Sequence, residues 1–151
     1  MKERFLTRSV VILMLIRDTK DGEEILLQKR QNTGYADGYY DLSASGHVEE
    51  GESMIKALIR EAKEEIGIEI KQEDVEFVTF IHKNTDNLPY YNGYFKVTKY
   101  DGEVKIGEPE KCEEIKWFNI NNLPENIIDD RRQAIINYKN NTKYSEYGWD
   151  K

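Results

Sequence analysis

The sequence predicts an α/β fold, a mixed sheet with helices packed on it, and three patterns carry that expectation. Short runs rich in β-branched and aromatic residues alternate with polar turns, Ser53 to Ile66 repeats its apolar residues at helical spacing, and a weaker helical pattern closes the chain. Phe5 to Arg17 and Glu24 to Arg30 flank the polar turn Asp18 to Gly22 and read as paired strands. Asp37 and Gly38 mark the next turn, before a strand running from Tyr39 toward Gly46. After the central helix, Val75 to His82, Tyr91 to Tyr100 and Glu114 to Phe118 are strand candidates, with Asp101 and Gly102 as the turn between the last two. A closing helix from about Asp129 to Tyr138 follows Pro124. The aromatic tail Tyr144 to Trp149 is expected to pack against something.

Length and composition bound the function. At 151 residues the chain, 1–151, reads as a single domain with room for a core, and it shows no internal repeat or low-complexity linker. A net charge of −7 excludes a broad grip on a nucleic-acid polymer, which needs a basic footprint. Small nucleotides stay open, because bound cations invert a local potential. Val10 to Ile16 is apolar but too short to span a membrane, and charged residues follow at once, so it reads as a buried strand rather than a leader. With Cys112 as the only cysteine there is no disulfide framework, and the expected compartment is the cytoplasm. Pairing with a second copy is left open.

The central helix carries the chemistry. Ile55, Leu58, Ile59, Ala62 and Ile66 form its apolar stripe, while Arg60, Glu61, Glu64 and Glu65 share the other face. Neighbours three and four apart stand about 5–6 Å from one another, so the like charges weaken the isolated helix by about a few tenths of a kcal/mol per pair. A divalent cation would offset that repulsion, and all-oxygen ligation completed by water and phosphate suits Mg²⁺ or Mn²⁺. Ser53 is the expected N-cap, and Gly67 fits the left-handed position after the last turn.

The whole segment GHVEEGESMIKALIREAKEEIGI, residues 46–68, matches G x5 E x7 R E U x E E x G U, where U is aliphatic; Ala62 stands where a larger aliphatic is usual. With each fixed residue type occurring at roughly one in fifteen, the chance of seven fixed matches at a given start is on the order of 10⁻⁸. The chain therefore resembles the Nudix hydrolase superfamily. That resemblance implies an α/β/α sandwich with the motif as loop, helix and loop. It also implies hydrolysis of a nucleoside diphosphate linked to another moiety. It makes Glu61, Glu64 and Glu65 the ligands of Mg²⁺ or Mn²⁺, adds the Gly46 carbonyl, and pairs Glu52 with Arg60. One of the three glutamates doubles as general base, or a later acidic residue does, with Glu108, Glu110, Glu113 and Glu114 as candidates.

Upstream, QKRQNTGYADGYYDLSASGHVEEGES is similar to the lead-in of MutT-type nucleotide phosphatases, although Leu42 to Ser45 replace a common Leu-Pro pair. Arg30, Asn32, Tyr35 and Asp37 are candidate pocket residues: an arginine holds phosphate bidentately and a tyrosine stacks on a base. Against these stand a surface strand end and an ordinary polar loop. Lys83 to Asp86 carries neither the proline of ADP-ribose hydrolases nor the tyrosine of dinucleoside polyphosphate hydrolases. His82 reads as a hydrogen-bonded structural histidine, and Cys112 as a buried thiol among acidic neighbours. Two other classes share features with this sequence. Isopentenyl diphosphate isomerases share the fold and a Gly-His step like Gly46-His47, but Cys112 lies outside their motif context. A non-catalytic nucleotide-sensing module is opposed by the intact glutamates.

Overall fold

Strand β1, Arg8–Thr19, is the spine of the sheet because its apolar run is buried on both faces. Val10, Ile12, Met14 and Ile16 join one core cluster, and Val11, Leu13 and Leu15 join the other. In this computed structural model, which describes residues 2–150, the remaining strands are β2 (Gly22–Arg30), β3 (Tyr40–Leu42), β4 (Ala44–His47), β5 (Glu76–Thr85), β6 (Leu88–Val97), β7 (Cys112–Asn119) and β8 (Tyr144–Tyr147). Helix α1 is Met54–Ile66 and α2 is Asp129–Asn140. The main strand order is β3-β2-β1-β6-β5-β8, with β4 also on β1 and β7 also on β2. The β1–β6 and β5–β8 pairs are parallel and the others antiparallel, so the sheet is mixed. Ala57, Leu58, Ala62 and Ile66 of α1 cover one face, and Ala134 and Ile135 of α2 cover the other. The expected α/β/α sandwich is what forms.

Four departures from the sequence reading position the site. The strand expected from Tyr39 toward Gly46 is two strands, because one edge of β1 is shared: Val10 to Leu13 pair with β4, whereas Ile16 to Thr19 pair with β2. At Ser43 the chain leaves β2 for β1, and Gln28 Nε2 spans the change by donating to the Leu42 and Ser43 carbonyls, both at 3.1 Å. The β5–β6 hairpin is longer than expected, since Asp86 and Asn87 both adopt positive φ, 50° and 63°, and turn the chain in two residues.

The Asp101-Gly102 turn does not join neighbouring strands. Its segment crosses the end of α1, where Asp101 pairs with Glu69, and Lys105 and Gly107 donate to the Ile66 and Glu65 carbonyls at 3.1 and 2.8 Å. The tail, finally, forms β8 on the edge of β5. Asn137 of α2 holds it through Ser145 Oγ at 2.9 Å, and the Tyr147 hydroxyl donates to Asp129 at 2.6 Å.

Candidate functional site

Helix α1 is punctuated as its residues require. The Ser53 hydroxyl accepts from the Lys56 N–H at 3.2 Å, and Gly67 closes the helix at φ 72°, returning its N–H to the Lys63 carbonyl. Its outward face presents Glu61, Glu64 and Glu65 to a cleft of about 280 Å³, which lies over the split between β2 and β4 and also takes in Gln28, Ser45 and Arg30. The sequence-predicted trio is therefore brought together. The surroundings of its members differ sharply.

Glu65 lies deepest, with one oxygen accepting from Gln28 Nε2 at 2.9 Å and the other from the Ser45 N–H at 3.1 Å. Burial pushes its carboxyl well above the usual carboxylate range, and the neighbouring Glu61 carboxyl pushes the same way. Glu61 is largely covered and accepts from Arg60 Nη1 at 2.6 Å. Glu64 is half exposed, 3.5 Å from the same guanidinium nitrogen. Arg60 also donates to Glu52 at 2.6 Å and 3.0 Å, a bidentate pair that holds the Glu52 carboxyl down to about 2. Glu52 in turn accepts from the Glu49 N–H, which fastens the loop before α1.

Gly46 sits where the motif needs a bare backbone. A methyl group there would run into the Glu61 carboxylate, so the β4 main chain and this side chain share one small space. The donors gathered here are oxygens, and two carboxyl groups face each other without a positive charge between them, which suits a hard divalent cation. Among the described residues no three acidic, histidine or cysteine side chains already converge as a coordination sphere. Arg60 engages Glu61, and Gln28 and Ser45 engage Glu65.

Of the later acidic candidates, Glu108 lines the cleft, together with Lys111. Glu114 accepts from the Tyr40 hydroxyl at 2.6 Å, Glu113 lies 3.8 Å from Lys29, and the Glu110 carbonyl accepts from Asn32. Cys112 reaches the cleft wall but is buried, and burial pushes its thiol up.

Arg30 joins this cleft to a second cavity of about 430 Å³, whose walls include Tyr35, His47, Lys83 and Tyr90. Arg30 Nε donates to the Tyr35 carbonyl at 2.8 Å and Nη1 to Asp41 at 3.2 Å, so both predicted pocket residues stand at that junction. Asn32 and Asp37 do not. Asp37 accepts from the Thr33 and Gly34 N–H groups and from the Thr33 hydroxyl, an internal turn of the loop. His82 is structural, as expected, but by packing: its ring lies against Tyr91 and Trp149, at centroid distances of 5.0 and 4.6 Å, and the hydrogen bond falls on its carbonyl, from Trp149 Nε1.

Beneath the second cavity runs a buried charge network absent from the sequence reading. Asp41 accepts from Arg131 at 2.7 Å, Arg131 also contacts Asp130 at 3.2 Å and the Tyr94 hydroxyl at 3.1 Å, and Lys83 lies 3.3 Å from Asp130. One signal for Gln28 was available, a polar residue directly after the apolar run Ile25 to Leu27. Asp130 and Arg131 gave none, because charged residues on a helix are usually solvated.

The family model described as NUDIX domain matches residues 6–138. The chain belongs to the Nudix hydrolase superfamily. It is 32% identical over 117 residues to the NAD-capped RNA hydrolase NudC of Stutzerimonas stutzeri, a match covering 78% of this chain and 38% of that protein. The chain thus spans well under half the length of that relative. Among solved structures, the MutT NUDIX hydrolase from Burkholderia pseudomallei aligns with a TM-score of 0.76 at 23% identity, over 87% of this chain and 98% of that one. The NUDIX domain of Shewanella oneidensis NrtR, complexed with ADP ribose, aligns at 0.72 with 16% identity, over 91% and 89%. At these identities the two structures speak for the fold.

Proposed function

We propose that the acidic cleft hydrolyses a pyrophosphate bond in a nucleoside diphosphate derivative or a nucleoside triphosphate, by attack of water on phosphorus. The observation that carries this is the gathering of Glu61, Glu64 and Glu65 around one cleft, beside a Gly46 backbone whose added methyl group would displace the Glu61 carboxylate. Glu61, Glu64, Glu65 and the Gly46 carbonyl are the groups that would hold Mg²⁺ or Mn²⁺. When bound, such a cation neutralises phosphate oxygens and lowers the pKa of a ligated water.

The chain's own residues do the rest. Arg60, clamped by Glu52, holds Glu61 toward the cleft and fixes the rotation of the helix face. Gln28 and Ser45 fix both oxygens of Glu65. Glu64 is left the freest of the three to accept a proton from the attacking water, with Glu108 on the opposite wall as the other candidate. Arg30 stands where the substrate passes between the two cavities, and Tyr35 offers a ring beside it, with the guanidinium carbon 5.4 Å from the ring centroid. The relative from Stutzerimonas stutzeri, an NAD-capped RNA hydrolase, supports a substrate with a nucleotide pyrophosphate.

Incubation with Mg²⁺ or Mn²⁺ and a panel of nucleoside triphosphates, sugar nucleotides and dinucleotides, with product analysis, tests the proposal. Release of nucleoside monophosphate is expected; no turnover across the panel removes it. The isomerase alternative gains one observation, Cys112 on the cleft wall, and loses by the raised thiol pKa. Prenyl diphosphate isomerisation that disappears in Cys112→Ala would favour it.

A further inference from the structure

The second cavity contains one group whose chemistry is left open. Four of its charged side chains are already matched: Arg30 and Arg131 share Asp41, and Lys83 and Arg131 share Asp130; Asp86 stands at its rim on the β5–β6 turn. Asn92 of β6 is different. It lies beside Val10 of β1 on the α2 face of the sheet, is 2% exposed, lines the cavity, and its Oδ1 has no hydrogen-bond partner among the described residues. An unpaired buried polar group is costly and rare in folded proteins. Ser43 Oγ is also unpaired, but Ser43 lines neither the acidic cleft nor this cavity, so among the described residues Asn92 alone combines an unpaired polar atom with a place in a cavity wall.

The complement of a carboxamide is a group that sets a donor beside an acceptor. Oδ1 accepts and Nδ2 donates, and a half-turn of the amide exchanges them, so the side chain pairs with either order. Two ring systems present such an edge: a nucleobase with an amino group next to a ring nitrogen, and a nicotinamide with its own carboxamide. The cavity suits a flat ring, since Tyr35 and Tyr90 supply aromatic faces while Val10 and Leu88 supply apolar lining. It also communicates with the acidic cleft through Arg30 and Ser45, which line both. A diphosphate held over the glutamates would therefore place its ring-bearing end here.

We infer that Asn92 is a specificity-determining residue that reads the donor-acceptor edge of the ring carried by a dinucleotide-type diphosphate. This deepens the hydrolase reading and rests on its placement of the diphosphate. Discrimination by a good two-point amide contact runs from about 5-fold to about 150-fold.

The test is calorimetric binding in Ca²⁺, followed separately by hydrolysis in Mg²⁺. The ligands are nicotinamide adenine dinucleotide, its purine analogue, in which the adenine lacks the amino donor, and its nicotinate analogue. Wild type should bind the parent at least about fivefold more tightly than one analogue: a loss on the purine swap identifies the nucleobase edge, a loss on the nicotinate swap the carboxamide. Asn92→Leu, of similar shape, should bring the three ligands within about twofold while the unfolding midpoint holds or rises. Asn92→Asp, which keeps the shape and removes the donors, should lose the parent's advantage as well. Equal binding of all three by wild type, no binding of any, or discrimination unchanged in both variants overturns the inference. Discriminated binding without turnover would instead overturn the hydrolase reading and leave this one standing.

Discussion

The two helices that sandwich the sheet treat charge in opposite ways. Helix α1 is capped by Ser53, buries an apolar stripe and turns its glutamates outward to the cleft. Helix α2 starts at Ile128 without a side-chain cap and buries Asp130, Arg131 and Asn137 along with its alanine and isoleucine. The α1 carboxylates consequently border a cleft, with Glu64 the most open of them, whereas the α2 charges are spent on one another and on Asp41. A carboxylate facing water can lose its charge without harming the fold; a buried one with fixed partners cannot.

The strongest way to break that contrast is Glu64→Gln. Turnover should fall by about 10²–10⁴-fold, the span for removing one group that handles a proton or charge in the transition state. Stability should stay within about 0.5 kcal/mol, because Glu64 is half exposed and Arg60 keeps Glu52 and Glu61. Wild-type turnover in the steady-state assay would end the assignment of this face. Arg131→Ala is the reciprocal experiment on α2. It strips Asp41 of its closest partner and removes the bond to Tyr94, so urea unfolding should show a loss of about 3–5 kcal/mol. A loss below 1 kcal/mol would mean that the buried network is not what seats α2.

Smaller effects sharpen the comparison. Ser53→Ala should cost about 1 kcal/mol in the same unfolding measurement, since it orphans the Lys56 N–H at the start of α1. An unchanged midpoint would show that the cap is dispensable, as it already is for α2. The weakest effect is acid-dependent. Arg60 holds Glu52 at about 2 against an ordinary value of 4.5, so the ionised form favours the folded chain. That contribution is complete above about 4.5 and disappears as pH falls through 2. Wild type should therefore lead Glu52→Gln in stability near neutrality and converge with it across this window; parallel acid-unfolding curves would refute the role of the pair.

Helix α1 was legible because its signals are local. The cap, the stripe, the glutamates and the closing glycine all lie within one short stretch, and helical geometry alone decides which residues share a face. The split into β3 and β4 was not legible, because it depends on a different partner for each half, β2 for β3 and β1 for β4. Nor was β8: four residues of mixed polarity become a strand because β5 offers them an open edge and Asn137 a bond. Glu108 was one of four equivalent acids until the segment crossing the end of α1 carried it to the cleft.

The amino-acid sequence by itself determined the family motif and the set of carboxylates on α1, since these follow from residue type and short-range spacing, and the sandwich came with the resemblance that the motif carries. Tertiary structure alone decided how buried each glutamate is, which of Arg30, Tyr35, Asn32 and Asp37 face a cavity, and that Asn92 is buried there without a partner. Burial and pairing are properties of segments brought together from far apart in the chain, and no local spacing encodes them.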